Sequence, residues 1–180
     1  MDQNEEAQIV DRVLKGDRQE YALLVEEYKS PVYNLAYRLT GNLGDAEDLT
    51  QETFIRAYQY LWRYDTRKKF FSWLYTIAFN LIKNHYKKNK KHNISEELSA
   101  HSLADDSPSP EAQFIENQEI TACLLRLEDE LRALLIMKYQ QGLSLEEIAE
   151  VTGKSLSAVK MRIYRGLEKL KKLMNEQNIL

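Results

Sequence analysis

A basic helix near the end of the chain carries the residues best suited to chemistry, and that chemistry is the reading of a nucleic acid. At about 100° per residue, a ridge of short and amphipathic side chains lies opposite the apolar stripe of residues 156–173. Cationic side chains flank this ridge on both sides. Such a ridge meets base edges in a major groove while the cations meet phosphates. The ridge consists of Ser157, Met161, Tyr164, Arg165 and Glu168, between the cations Lys160, Lys171, Arg162 and Lys169.

The residues before this helix predict a second helix and a tight turn. Ser144 and Glu147 have the spacing of a capping box, which satisfies two backbone donors where a helix begins. Gly153 is the residue expected where the chain leaves that helix, and Ser155 can cap the next one. The alternative is an ordinary amphipathic helix with a solvated charged face. The capped first helix and the short turn favour a helix-turn-helix over that alternative.

Charge is segregated along the chain although the net charge is only −3. Residues 63–92 hold nine basic residues and one acid, a charge of +8, and residues 154–172 hold seven basic residues and one acid, a charge of +6. Residues 93–130 carry −9, and residues 1–62 carry −6. Local charge decides where a polyanion binds. Two separate basic islands favour two contacts with one long polyanion.

Aromatic and cationic side chains alternate in the first basic island, within residues 68–88. Aromatic faces beside cations hold unstacked bases, each stack contributing about 1–3 kcal/mol. Some of these aromatic residues belong to the core instead, because Trp73, Ile77 and Leu81 share one helical stripe. The pattern leaves each single aromatic residue open between the two roles, and it favours nucleic-acid binding for the segment as a whole.

The remaining elements predict an all-α protein of two small helical domains. Apolar residues recur at helical spacing through residues 1–91, with Pro31 expected to kink or divide one helix and an acidic helix expected over 45–64. Residues 92–112 are rich in acids, serine and proline and read as a flexible acidic linker. The second domain then spans 113–180.

Several function classes are excluded on composition. There is no run of about 18 apolar residues and no signal-peptide pattern at the N-terminus, so we expect no membrane insertion. A lone cysteine, Cys123, fits a reducing cytoplasm and lies in an apolar run, which makes it a core residue. The three histidines lack ligand spacing, and no phosphate loop or nucleophile constellation is present. We expect a cytoplasmic protein without metal, cofactor or enzymatic activity.

Three stretches carry a resemblance to a known family. They are DAEDLTQETFIRAYQYLWRY from Asp45, FFSWLYTIAFNLIKNHYKK from Phe70, and GLSLEEIAEVTGKSLSAVKMRIYRGLEKL from Gly142 onward. Their sequence and order closely resemble regions 2 and 4 of bacterial RNA polymerase sigma factors, and the two-domain size resembles the extracytoplasmic-function group. The likeness covers nearly the whole chain apart from the linker and the termini.

The resemblance implies three sets of contact residues. The 45–64 helix corresponds to the part that binds the clamp helices of the polymerase, through Asp45, Asp48, Gln51 and Glu52. Residues 68–88 correspond to the part that recognises the −10 element and its melted strand, through Lys68, Phe70, Phe71, Ser72, Trp73, Asn80, Asn84, Lys87 and Lys88. The last helix corresponds to the reader of the −35 element, through Ser155, Ser157, Ala158, Lys160, Met161, Arg162, Tyr164 and Arg165.

The partners implied by the resemblance are the RNA polymerase core, through its clamp helices and flap, promoter DNA, and an anti-sigma factor. The chain departs from the family where the recognition helix commonly begins Gly-Thr-Val-Lys-Ser-Arg, because residues 157–162 read SAVKMR. Lys160 and Arg162 are retained, so phosphate anchoring is expected, whereas the bases read near Ala158 and Met161 are open.

Two other functions remain as alternatives. A stand-alone helix-turn-helix regulator would bind an operator without polymerase, but it leaves the basic-aromatic segment 68–88 without a role. A helical inhibitor or adaptor would use its basic faces on acidic proteins and would bind no nucleic acid at low salt.

Overall fold

The computed structural model describes residues 1–93 and 118–176, and every element in these ranges is helical. The first range holds four α-helices, α1 Gln3–Leu14, α2 Tyr21–Thr40, α3 Leu43–Gln59 and α4 Phe70–Asn93. The second holds α5 Gln118–Leu125, α6 Asp129–Leu135, α7 Leu145–Thr152 and α8 Leu156–Glu176. The all-α prediction is confirmed. The predicted linker, apart from its first two residues at the end of α4, lies outside the described residues.

Helix α1 begins earlier than its apolar pattern indicated. Asp2 accepts the backbone N–H groups of Asn4 and Glu5, and the Glu5 carboxylate accepts the N–H of Asp2, which makes a capping box at the very start of the chain. Helix α2 is continuous, and the expected division at Pro31 does not occur. Val32 and Leu35, buried immediately after the proline, hold the helix in the core. Packing therefore outweighs the hydrogen bond that proline removes.

Helix α3 ends before residue 64, the predicted end, and it starts two residues before residue 45, the predicted start. The Asn42 side chain accepts the N–H of Asp45 at 2.9 Å and caps the start of the helix. The helix ends at Gln59, and a short 3-10 turn, Leu61–Arg63, carries the chain toward α4. Leu61 is buried, so this turn is pinned to the core.

The core of residues 1–93 is formed by α2, α3 and α4, and α1 packs across them. Fully buried side chains such as Leu24, Leu35, Leu74 and Tyr75 lie at its centre. The Tyr75 hydroxyl donates to the carbonyl of Pro31 at 2.9 Å, which ties α4 to α2. Helix α4 also packs against α7 of the second described range.

The core of residues 118–176 is formed by α5, α6, α7 and α8. Leu134, Ile136 and Met137 are fully buried, and Cys123 is buried as well, as predicted. After α6 the chain makes one π-helical turn, Ile136–Gln140, and Gly142 at φ 68° turns it toward α7. The buried residues of both cores form one continuous cluster.

Candidate nucleic-acid interface

The helix-turn-helix predicted from residues 143–172 is present, with the predicted caps. Ser144 Oγ accepts the N–H of Glu147 at 3.1 Å, and Glu147 Oε2 accepts the N–H of Ser144 at 2.7 Å, so both halves of the capping box form. Gly153 ends α7 at φ 67°, a conformation that costs other residues about 1–2 kcal/mol. Ser155 Oγ accepts the N–H of Ala158 at 3.3 Å and caps α8.

One side of α8 packs against α6, and its buried residues differ at one position from the apolar stripe predicted for residues 156–173. Val159 and Ile163 are buried as expected, but Leu167 is 37% exposed and the neighbouring Gly166 is buried. A Cβ at Gly166 would lie 3.3 Å from Leu135 Cδ1. The stripe prediction was therefore wrong at Leu167, because the absence of a side chain at Gly166 lets the two helices approach there.

The opposite side of α8 presents the predicted ridge to solvent. Met161 is 57% and Tyr164 64% exposed, so both side chains are open to solvent. Ser157, Lys160 and Arg165 are also exposed, and Ala158 is half-buried. These residues form one surface on one helix.

On the second cationic edge of α8, Arg162 and Lys169 form ion pairs with glutamates at the start of α6. Arg162 Nε lies 2.8 Å from Glu130 Oε1, and Lys154 Nζ lies 2.8 Å from the same oxygen. Lys169 Nζ lies 2.5 Å from Glu128 Oε1. On Glu128, the Lys169 side chain lowers the carboxyl pKa. This edge can contact phosphates only by exchanging these carboxylates for DNA, whereas Lys160 points into solvent.

The loop before α4 displays the cations of the 68–88 segment. Asp65 accepts hydrogen bonds from the side chain and the backbone N–H of Arg67, which lower its pKa to about 2. This local turn leaves Lys68 and Lys69 exposed on its far side. Both lysines reach toward α7, where they meet glutamate side chains.

The aromatic residues of this segment divide between core and surface. Phe70 is fully buried, with its ring centroid 5.3 Å from that of Tyr64 and 5.5 Å from that of Trp73. Phe71 and Trp73 are half-buried, and Ser72 is buried. In this conformation Phe70 supports the site from below, while the edges of Phe71 and Trp73 reach the surface.

A carboxylate from α1 fixes the start of α4. Glu6 is buried, its Oε2 accepts the N–H of Phe70 at 3.0 Å, and its Oε1 accepts the Tyr28 hydroxyl. A carboxylate at a helix N-terminus also complements the helix dipole. No pattern in the sequence predicted this contact, because the two partners lie 64 residues apart in the chain.

The acidic candidates of α3 line a groove between α3 and α4. Asp45, Asp48, Gln51 and Glu52 lie along it. Asp45 Oδ2 is 3.1 Å from His85 Nε2, and Glu52 Oε1 is 2.6 Å from Arg56 Nε. The lining is completed by Leu49, Ile55, Arg56, Leu81, Asn84 and His85, of which only Asn84 was an expected contact residue.

The candidates near the middle of α4 split between these surfaces. Asn80 and Asn84 are both exposed, one turn apart. Asn84 lines the acidic groove with Asp48 and Glu52, so its amide belongs to that surface as much as to the basic loop. Lys87 and Lys88 have side chains outside the described part of the structure.

Comparison with known proteins gives the same two units. Residues 24–92 match the family model for Sigma-70 region 2, and residues 117–170 match that for Sigma-70, region 4. The extracytoplasmic-function (ECF) sigma factor SigW of Bacillus subtilis is 36% identical over 178 residues, covering 93% of this chain and 95% of the relative. The chain belongs to the ECF group of the sigma-70 family.

Other relatives agree with this assignment. The RNA polymerase sigma-H factor of Pseudomonas aeruginosa is 31% identical, covering 96% of this sigma factor and 95% of its own length. The fold is shared with the sigma factor RpoE of Bartonella quintana, solved with the anti-sigma factor NepR, at a TM-score of 0.76 and 21% identity over 87% of this chain and 98% of that one.

Family membership defines the role of this sigma factor. It is a subunit that directs promoter-specific transcription initiation by RNA polymerase. Within the described ranges, no helix is both long and apolar enough to cross a membrane.

Proposed function

We propose that three separate surfaces of this sigma factor divide the work of initiation. The α3–α4 groove binds the clamp helices of the polymerase core, the 68–88 segment holds the −10 element, and the exposed face of α8 reads the −35 duplex. The observation that carries the proposal is that face of α8, where Met161 and Tyr164 stand in solvent beside Lys160 and Arg165.

The proposed −35 reader is the exposed side of α8. Ser155, Ser157, Ala158 and Met161 lie at its N-terminal end, which is the part of a recognition helix that meets base edges. Lys160 would contact phosphates, and Arg162 would join it after leaving Glu130, while Arg165 lies on the ridge that meets base edges. Tyr164 adds an amphipathic contact from the next turn.

The proposed −10 surface combines the basic loop with the edges of its aromatic residues. Lys68 and Lys87 or Lys88 supply charge, Phe71 and Trp73 supply partly exposed rings, and Asn80 and Asn84 supply amides. Ser72 and Phe70 act from beneath this surface in the described conformation. Opening the duplex costs about a few kcal/mol for each unstacked step, and the capture of splayed bases offsets that cost.

The proposed polymerase contact is the acidic groove. Asp45, Asp48, Gln51 and Glu52 give it negative charge, and Ile55 adds an exposed apolar side chain at 52% exposure. A charged rim around an apolar centre is the usual anatomy of a protein interface. We place a second contact, with the polymerase flap, on the 113–180 module.

The groove is tested by reversing its charge. Asp48→Lys should weaken binding of purified core polymerase by about a hundredfold or more, since a like charge at a complementary interface costs several kcal/mol and about 1.4 kcal/mol is already tenfold. The control is Asp11→Lys, an equal charge change at an exposed position of α1. This variant should bind core polymerase as tightly as the wild type does. Fluorescence anisotropy of labelled protein titrated with core measures both. Equal affinities for the two variants would place the polymerase contact elsewhere.

We further propose that the protein acts in the cytoplasm, performs no covalent chemistry, and is restrained by an anti-sigma factor. RpoE of Bartonella quintana, which shares the fold, was solved with such a partner. Affinity purification of the full chain from its own cells, with the co-purified proteins identified by mass spectrometry, tests the last point. Recovery with core polymerase alone would contradict it.

A further inference from the structure

Helix α1 lies outside residues 24–92, which match the family model for region 2, yet it contacts the basic loop, residues 65–69. The Gln3 side chain donates from Nε2 to the carbonyl oxygen of Thr66 at 3.3 Å. The two residues lie 63 positions apart in the chain. An element that the family model does not include therefore holds the loop that displays the cations.

One turn further along α1, Glu6 holds the residue that follows the loop. Its side chain is 4% exposed, and its Oε2 accepts the N–H of Phe70 at 3.0 Å. Gln3 and Glu6 are three positions apart, so they lie on the same face of the helix. This face of α1 therefore holds the chain on both sides of Lys68, at Thr66 before it and at Phe70 after it.

The other oxygen of Glu6 extends this support to the aromatic side chains. Oε1 accepts the hydroxyl of Tyr28, whose ring centroid lies 5.7 Å from that of Phe70 and 5.5 Å from that of Phe71. Burial and the hydrogen bond to Glu6 raise the pKa of Tyr28, so its hydroxyl stays protonated at neutral pH. Phe71, a half-buried ring of the proposed −10 surface, therefore packs on a tyrosine that α1 orients.

Hydrogen bonds inside the basic loop define its shape. The N–H of Lys68 donates to the carbonyl of Asp65 at 2.9 Å, and the Tyr64 hydroxyl donates to the carbonyl of Lys68. These bonds join near neighbours in the chain, so they form a turn without tying it to another helix. Within residues 1–93, the long-range hydrogen bonds to this turn and to Phe70 come from α1.

We propose that α1 is part of the −10 machinery, with Gln3 and Glu6 as positioning residues that hold the basic loop and Phe71 in the arrangement that receives the melted strand. Both act through the backbone of the loop and through Tyr28, and neither needs to touch DNA. A loop that is ordered before binding avoids the entropic cost of being ordered by its ligand. This inference rests on the proposed assignment of the −10 surface and adds the element that positions it.

Two glutamines on α1 provide a matched test. Gln3 and Gln8 are both exposed, and Gln3→Ala removes a hydrogen bond to the loop, whereas Gln8→Ala is the control. In reconstituted holoenzyme on a library-selected promoter, Gln3→Ala should form open complexes about two- to threefold more slowly than Gln8→Ala, the lower end of the range for one hydrogen bond. Permanganate reactivity of unpaired thymines measures the opening rate. Equal rates for the two variants would overturn the role of α1.

Glu6 gives a larger effect and a rescue. Glu6→Ala leaves the buried N–H of Phe70 without an acceptor and should slow opening by about tenfold relative to Gln8→Ala. Glu6→Gln keeps an oxygen that can accept this N–H, so its opening rate should lie between the two. Glu6→Gln as slow as Glu6→Ala would contradict the acceptor role.

Two binding measurements separate positioning from a general loss of folded protein. All three alanine variants should bind core polymerase equally, and their holoenzymes should bind equally a duplex that carries only the −35 element. A loss of opening that is matched by equal losses of core and −35 binding would contradict the positioning role, because unfolding lowers all three together.

Phe71→Ala distinguishes failure of this inference from failure of the proposed function. If Phe71→Ala opens the promoter as fast as Gln8→Ala does, the −10 assignment is wrong, and the inference fails with it. If Phe71→Ala slows opening while Gln3→Ala matches Gln8→Ala, the −10 assignment stands and the positioning role of α1 alone fails.

Discussion

In the proposed DNA surfaces of this sigma factor, single side chains divide into those that would anchor DNA, those that would read it and those that support the surface from within. Lys160 stands in solvent on α8, whereas the equally basic Arg162 is paired with Glu130. Met161 lies between them at 57% exposure. Phe70, one of the expected base contacts, is fully buried. Charge and residue type therefore do not by themselves assign a role; the neighbours of each side chain do.

At Lys160 we predict a loss that is the same for all promoters. Lys160→Ala removes one phosphate contact, so the slope of log affinity against log salt should fall by about 1 without a change in sequence preference. Met161→Ala should change base preference and leave the salt slope as it is. Promoter selection with reconstituted holoenzyme, repeated at three salt concentrations, measures both quantities. A changed sequence preference for Lys160→Ala would reverse the two assignments.

We predict that replacing Glu6 lowers the stability of the protein. Glu6→Ala leaves the buried N–H of Phe70 without its acceptor, which costs about 1–3 kcal/mol of unfolding free energy. Gln8→Ala, on the exposed side of α1, is the control and should change stability by less than about 0.5 kcal/mol. Urea denaturation followed by circular dichroism compares them. Equal midpoints would mean that Glu6 does not secure the start of α4.

At the scale of elements, helix ends and turns decide how the surfaces are presented. The capping box at Ser144, the left-handed Gly153 and the cap at Ser155 set the angle between α7 and α8. The Asn42 cap starts α3, and Glu6 secures the start of α4 across the domain. The acidic groove and the basic loop follow from where these two helices begin.

We predict that Gly153 is needed for its backbone conformation and not for space. A Cβ there has nothing within 4 Å, but φ is +67°, so Gly153→Ala should cost about 1 kcal/mol or more. Gly44→Ala, in the first turn of α3 with ordinary φ, should instead be neutral or stabilise by up to about 1 kcal/mol. Thermal unfolding of both variants checks this. A destabilised Gly44→Ala with an unchanged Gly153→Ala would contradict the account.

Local signals in the sequence predicted most of the fold. The helix-turn-helix and the caps of Ser144, Gly153 and Ser155 are confirmed, because capping depends on residues only three positions apart. Contacts between distant residues were not predictable, including Glu6 with Phe70 and Lys68 with Glu150. The apolar stripe of α8 was mispredicted next to Gly166. This glycine allows a close approach to Leu135, and no periodicity in the sequence reveals such an approach. The assignment of contact residues stays a prediction.

At the scale of the whole molecule, charge is segregated over three surfaces, in agreement with the proposed contacts with polymerase and with two promoter elements. The acidic groove lies between α3 and α4, the basic loop precedes α4, and the ridge lies on α8, while Lys68 and Lys69 pair with carboxylates of α7. A net charge of −3 conceals this pattern. The buried residues of the two modules form one continuous cluster.

Site-specific photocross-linking in the holoenzyme tests the division between the two DNA surfaces most directly. A photoreactive phenylalanine derivative replaces Tyr164 in one protein and Phe71 in another, and each is irradiated in an open complex on a library-selected promoter. If the two surfaces divide as proposed, position 164 labels only the −35 duplex and position 71 labels only the non-template strand of the −10 element. Labelling of the −10 strand from position 164, or of the −35 duplex from position 71, would contradict it.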